Sequence, residues 1–93
     1  MSNRYEYTEE DDVLACYVAK YGEEILISPI TASKTRGMTE ESFKARVENF
    51  KAIEGKSRLT HVAEMSREVY ETYKPVSKGQ HRTFCLSILG ISK

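Results

Sequence analysis

Thr8, Ser28 and Thr39 each stand directly before a run of residues at helical spacing, and Gly22, Gly37 and Gly55 stand where those runs stop. Hydroxyl side chains satisfy the free amides of a helix start, and glycine takes up the backbone that closes a helix end. A chain punctuated this way at both ends of successive short segments is committed to helices before any tertiary contact forms. The first segment is the most fully specified. Thr8 is followed by Glu9, Glu10, Asp11 and Asp12, whose carboxylates complement the positive end of a helix dipole. Asp11, three residues after Thr8, makes a shortened capping box. Val13, Leu14, Tyr17, Val18 and Tyr21 then recur at helical spacing, so helix one is expected over about residues 9 to 21. Mimicry of DNA phosphates is the other role open to these acids, and helix capping accounts for them more simply.

Ser28-Pro29 places serine at an N-cap and proline at the first helical position, predicting a two-turn helix from Ile30 to Thr35 that ends at Arg36-Gly37. Thr39 caps the next helix, with Glu40 and Glu41 in its first turn and Phe43, Val47, Phe50 and Ile53 as its apolar stripe. A short helix, a glycine-containing turn and a second helix make the outline of a helix-turn-helix. A fourth helix is expected over roughly residues 60 to 73, stopped by Pro75, with a shorter helix capped by Ser66 as the alternative. In the tail, Phe84, Cys85, Ile88, Leu89 and Ile91 suit a fifth helix that closes the core. The same residue types suit a strand; the absence of a partner strand favours the helix.

The 93 residues make one domain with room for one core and little for a deep cleft. No apolar stretch approaches the ~18 residues of a membrane span, and MSNRYEYTEED has neither the basic start nor the apolar run of a signal peptide. The expected location is therefore the cytoplasm. Cys16 and Cys85 share no metal-binding or redox spacing and lie among apolar neighbours, where cysteine behaves as a small hydrophobe; a disulfide between them is open but not implied. His81 and Cys85 are four apart, yet a zinc site needs about four ligands, and His61 and Cys16 complete none. Neither a glycine-rich phosphate loop nor a nucleophile motif is present, so the expectation is a non-enzymatic protein without cofactor or metal.

Net charge is zero but unevenly laid out. Residues 1 to 24 carry seven acids against Arg4 and Lys20, and residues 25 to 93 carry seven acids against twelve Lys and Arg. The last twenty-two residues hold Lys74, Lys78, Arg82 and Lys93 and no acid. A basic face is thus available only if folding assembles it, whereas duplex binders ordinarily carry a clear basic excess.

YTEEDDVLACYVAKYG, residues 7 to 22, resembles the first helix of a Myb/SANT repeat, with Tyr7 at the tryptophan position and Thr8, Glu9, Glu10, Asp11, Leu14, Val18, Lys20, Tyr21 and Gly22 echoing the rest. Lys44-Ala45-Arg46-Val47-Glu48-Asn49 is similar to the end of the third Myb helix, with Val47 where the last tryptophan stands and an aliphatic near Ile25-Leu26 replacing the middle one. ESFKARVENFKAIEGKSRLTHVAEMSREVYETY is also similar to a small helical module found ahead of HNH nuclease domains in bacterial restriction proteins; the nuclease half has no counterpart here. These resemblances imply a compact three-helix, Myb-like helix-turn-helix core over about residues 5 to 54; with the fourth and fifth helices read from spacing, the expected fold is all-α with a helical extension over 55 to 93. At the positions where Myb helices read base edges this chain has Glu41, Lys44, Ala45 and Glu48, and SANT members often bind proteins instead.

The leading expectation is a small regulator or accessory factor of double-stranded DNA, of the size found in phages and mobile elements. Lys44 and Lys51, seven apart on helix three, would face the groove, and Lys34, Arg36, Lys56 and Arg58 would hold the backbone. A solvated face interleaved with Glu40, Glu41, Glu48 and Glu54 is the plainer account of the same cations. Arg46, beside core Val47, is expected to pair with carboxylates of helix one, and Asn49 to bond within the fold. Tyr17, Tyr21, Tyr70 and Tyr73 fall on apolar stripes, leaving Tyr5 as the candidate for exposure. The alternative is a module that binds or inhibits a partner protein, such as a polymerase or defence enzyme. An exposed tail would then offer Phe84, Leu86 and Ile91 as a partner or homodimer surface.

Overall fold

The computed structural model describes residues 6–56 and 62–91, and these residues form five helices and no strand. Helix α1 spans Glu9–Tyr21, α2 Pro29–Arg36, α3 Glu40–Ile53, α4 Glu64–Tyr73 and α5 Lys78–Ile88. The tail is therefore helical. No helix of the described residues is long and apolar enough to cross a membrane.

The helix ends form where the hydroxyl and glycine punctuation places them. Thr8 Oγ1 accepts from the Asp11 amide at 3.3 Å while the Thr8 amide donates to Asp11 Oδ2 at 2.9 Å, closing the capping box. Ser28, Thr39 and Ser77 accept from the amides of Thr31, Ser42 and Gln80 in the same way. Gly55 adopts φ 79°, and the Lys56 amide reaches back to the Lys51 carbonyl at 2.7 Å, which ends α3 in a six-to-one turn. Helix α4 begins later than residue 60, and Val62 lies ahead of it rather than on its stripe. Its cap residue, Ala63, has no side chain to offer; instead the Ala63 amide donates to Asn49 Oδ1 of α3 at 3.4 Å. Its start is fixed by a tertiary contact, which local spacing does not carry.

Helix α1 lies at the centre. Every residue from Asp11 to Ala19 is buried, with Leu14, Cys16 and Tyr17 fully enclosed. A helix apolar on one stripe buries one face; this one buries all of them, because α2, α3, α4 and α5 each pack against it. Phe43, Val47 and Phe50 bring the inner face of α3 onto α1, and Ile27 enters the core from the loop before α2. Each fully buried phenylalanine stabilises the fold by roughly 1.5–3 kcal/mol relative to exposure. Ile25 of the same loop points outward and is 91% exposed, while Leu26 packs against the core.

Candidate functional site

The four acids at the start of α1 divide into two pairs. Helical rotation turns Asp11 and Asp12 inward, where both are fully buried, and leaves Glu9 and Glu10 exposed. Each buried carboxylate receives an arginine from another helix. Arg36 Nε of α2 donates to Asp11 Oδ1 at 2.7 Å, and its Nη2 reaches Thr8 Oγ1 at 3.3 Å and Glu10 Oε1 at 3.2 Å. Arg46 of α3 engages Asp12 with a two-pronged fork, Nε to Oδ1 at 2.8 Å and Nη2 to Oδ2 at 2.7 Å. Ser66 of α4 donates to the same Oδ2 at 3.0 Å, and the Tyr7 ring lies 4.2 Å beneath the guanidinium. Such forks are the strongest ion-pair geometry available to side chains. Arg46 thus has the helix-one partner expected of it.

These bonds decide what the basic residues can offer a ligand. Arg36 is engaged on α1 rather than reaching outward from the α2–α3 turn. On α3, Lys44 is exposed, and Lys51 Nζ lies 3.7 Å from Glu48 Oε2. Lys44 and Lys51 border a shallow depression of about 170 Å³ together with Glu23 and Glu48. Lys56 Nζ sits 3.1 Å from Glu54 Oε1, whose other oxygen accepts from the Tyr70 hydroxyl at 3.3 Å. Lys34 is exposed on α2, and Arg58, like Tyr5 and His61, falls outside the described residues. The outward face of α3, with Glu41, Lys44, Ala45 and Glu48 exposed, is therefore mixed in charge.

Of the three tail residues, Phe84 is 48% exposed. Leu86 is not available to a partner: at 5% exposure it belongs to the core, and Ile91 packs against that core. The surface conditional on an exposed tail does not include Leu86, because α5 docks on α1 and turns it inward with Cys85, and Ile91 is half-buried.

The polar contacts of α5 join residues far apart in the chain and carry no local mark in the sequence. Tyr17 donates to Glu24 Oε2 at 2.7 Å, and Arg82 Nε donates to Oε1 at 2.9 Å. The Tyr17 hydrogen bond, reinforced by Arg82, holds the Glu24 carboxyl below its ordinary value against the opposing effect of burial. His81 is fully buried against the rings of Tyr17 and Tyr73, at 5.3 and 4.6 Å between centres. Its Nε2 lies 2.9 Å from the Val13 carbonyl, which requires the proton on Nε2 and leaves Nδ1 without a partner. Burial pushes the imidazole pKa down, and burial pushes the Cys16 and Cys85 thiols up to about 12, so both cysteines are protonated, enclosed side chains. Among the described residues no cluster of three or more His, Cys, Asp or Glu could hold a metal ion.

A second basic cluster surrounds the end of α1. The Lys20 and Lys78 ammonium groups lie 5.1 and 5.6 Å from the Tyr21 ring centre, and Lys20 Nζ donates to the Tyr73 carbonyl at 3.0 Å. The acid-free stretch from residue 72 onward was its signal in the sequence.

No protein-family model, curated protein or solved structure matches this chain.

Proposed function

We propose that the protein is a non-catalytic helical recognition domain that binds a partner protein. One observation carries this reading: except for Lys34, the cations of α2, α3 and the turn after it are used within the fold or interleaved with acids. Arg36 and Arg46 are bonded to the buried aspartates, Lys51 and Lys56 sit beside Glu48 and Glu54, and Glu41 and Glu48 share the exposed face with Lys44. A duplex presents closely spaced phosphates, and its binding is driven by counterion release from a continuous positive surface. A mixed face with large apolar side chains at its margins, Ile25, Ile30 and Phe84, suits a protein surface better.

DNA binding is the second reading. It is supported by Lys34 and Lys44, exposed on either side of the α2–α3 turn and without an ion pair among the described residues. The Myb/SANT-like interpretation of α1 to α3 belongs to the same proposal and serves either ligand. Its support is that α1 packs against both α2 and α3, with Val47 buried at the position of the last tryptophan.

Titration of a labelled random-sequence duplex at low and moderate salt, with Lys44→Glu/Lys51→Glu as the control, separates the two. Protein recognition predicts no salt-sensitive complex with either chain. A complex that forms at low salt, weakens with added salt and is lost in the double variant would overturn it in favour of DNA.

A further inference from the structure

Helices α4 and α5 both rest on α1 and pack chiefly on it rather than on each other. The Tyr73 ring bridges toward α5, tilted against His81 at 4.6 Å and edge-on to Phe84 at 6.0 Å between centres. The arrangement leaves a groove along the first turns of α1. One part, about 310 Å³, is formed by Glu9, Glu10, Val13, Tyr73, Phe84 and Ile88 with Ser87. The other, about 170 Å³, continues from the same Glu9, Val13 and Tyr73 along Glu68, Val69 and Thr72 of α4. Apolar side chains and the Tyr73 ring share the lining with Thr72 and Ser87, the rim carries Glu9, Glu10 and Glu68, and no lysine or arginine lines either part. Glu10 shares its charge with Arg36, while Glu9 and Glu68 form no ion pair among the described residues.

We infer that this groove is the docking site for a basic amphipathic helix of the partner protein. The inference rests on the protein-recognition reading and names where and what it recognises. The charge of the rim selects the occupant: carboxylates from α1 in both parts and from α4 in one, beside apolar side chains, favour apolar anchors flanked by lysine or arginine. The geometry selects a helix. The groove walls are side chains of α-helices, and the described residues offer no sheet edge to satisfy an extended backbone. A docked helix satisfies its own backbone and presents anchors three or four residues apart, which the two adjoining parts of the groove can receive. Phe84, half-exposed and held by the Tyr73 ring, is the aromatic contact around which such a peptide would close.

The test uses a synthetic helical peptide with leucines at i, i+4 and i+7 and a lysine-rich polar face, and a twin with glutamate in place of each lysine. Binding is followed by amide chemical shifts of the full chain. The lysine peptide is expected to bind, with shifts at Glu9, Val13, Val69, Tyr73 and Phe84, and the glutamate peptide is not. Phe84→Ala should weaken the complex by about tenfold, a typical loss for an interface anchor. Glu68→Lys, on an exposed position of α4, should weaken it while leaving the fold intact by circular dichroism.

Equal affinity for both peptides, or shifts centred on α3, would overturn the inference. So would self-association abolished by Phe84→Ala, which would make a second copy of this chain the occupant. Binding of neither peptide removes the groove alone; the broader reading then stands or falls on the duplex titration, which does not involve these residues.

Discussion

The first turn of α1 and the middle of α1 both bury polar groups, and they do so by opposite means. At the first turn the buried groups are charged and saturated: Asp11 and Asp12 have arginine partners, and Thr8 and Ser66 take up further bonding capacity. In the middle, the buried group is the neutral His81, bonded through one nitrogen to Val13 and left with the other unmatched among aromatic rings. Charges taken out of water are tolerable only with such complete pairing, whereas a neutral ring tolerates one missing bond at a cost of about 1–3 kcal/mol. The first site ties helices together and resists change. The second is the place where a proton would do damage.

The largest expected effect comes from breaking the saturated site. Asp12→Ala leaves the Arg46 guanidinium, only 11% exposed, and the Ser66 hydroxyl without their acceptor. A loss of about 3–5 kcal/mol in urea unfolding is expected, a large part of the stability of a small domain. Asp12→Ala/Arg46→Met should recover much of it; if the double variant is no better than the single one, the penalty lies in packing and not in the orphaned charge.

The middle site is tested by acid. The folded chain holds His81 below its ordinary value of 6.5, so the unfolded chain takes up the proton first as pH falls. The stability is fully present above pH 6.5 and is lost as pH falls through the lower, folded value, by at most about 1.4 kcal/mol per pH unit. With His61→Gln in both backgrounds, His81→Gln should flatten the unfolding midpoint across this window. An unchanged slope would show that another group senses the acid.

The smallest effect belongs to the surface. Glu48→Ala removes an exposed partner of Lys51 and should change stability by no more than about 0.5 kcal/mol. A loss above 1 kcal/mol would give the α3 face a structural role like that of the buried pairs.

The helices were legible in the sequence because their ends are local. Thr8, Ser28 and Thr39 act on amides a few residues away, and the glycine turn after α3 needs only its own backbone. Where an end depends on a distant residue, as Ala63 depends on Asn49, spacing alone set the start of α4 too early. Arg46 was legible as a partner of helix one, since it neighbours a core residue on a helix that must face α1. That Asp11 and Asp12 would be buried, while Glu9 and Glu10 rim a groove, was not. A run of four acids has no internal mark of which faces inward; that depends on how many helices gather around α1. The groove was hidden for the same reason, because its residues come from α1, α4 and α5 and meet only after folding.

The central position of α1 also bears on synthesis. This helix precedes the other four helices of the described residues, yet its enclosing partners extend to α5, whose His81 bonds to Val13 from 68 positions away. At about 5–20 residues per second, the apolar surface around Leu14 and Tyr17 waits several seconds on the ribosome for its last cover. During that interval the nascent chain carries an open apolar helix with an acidic tip, and a chaperone can reach it before the protein closes.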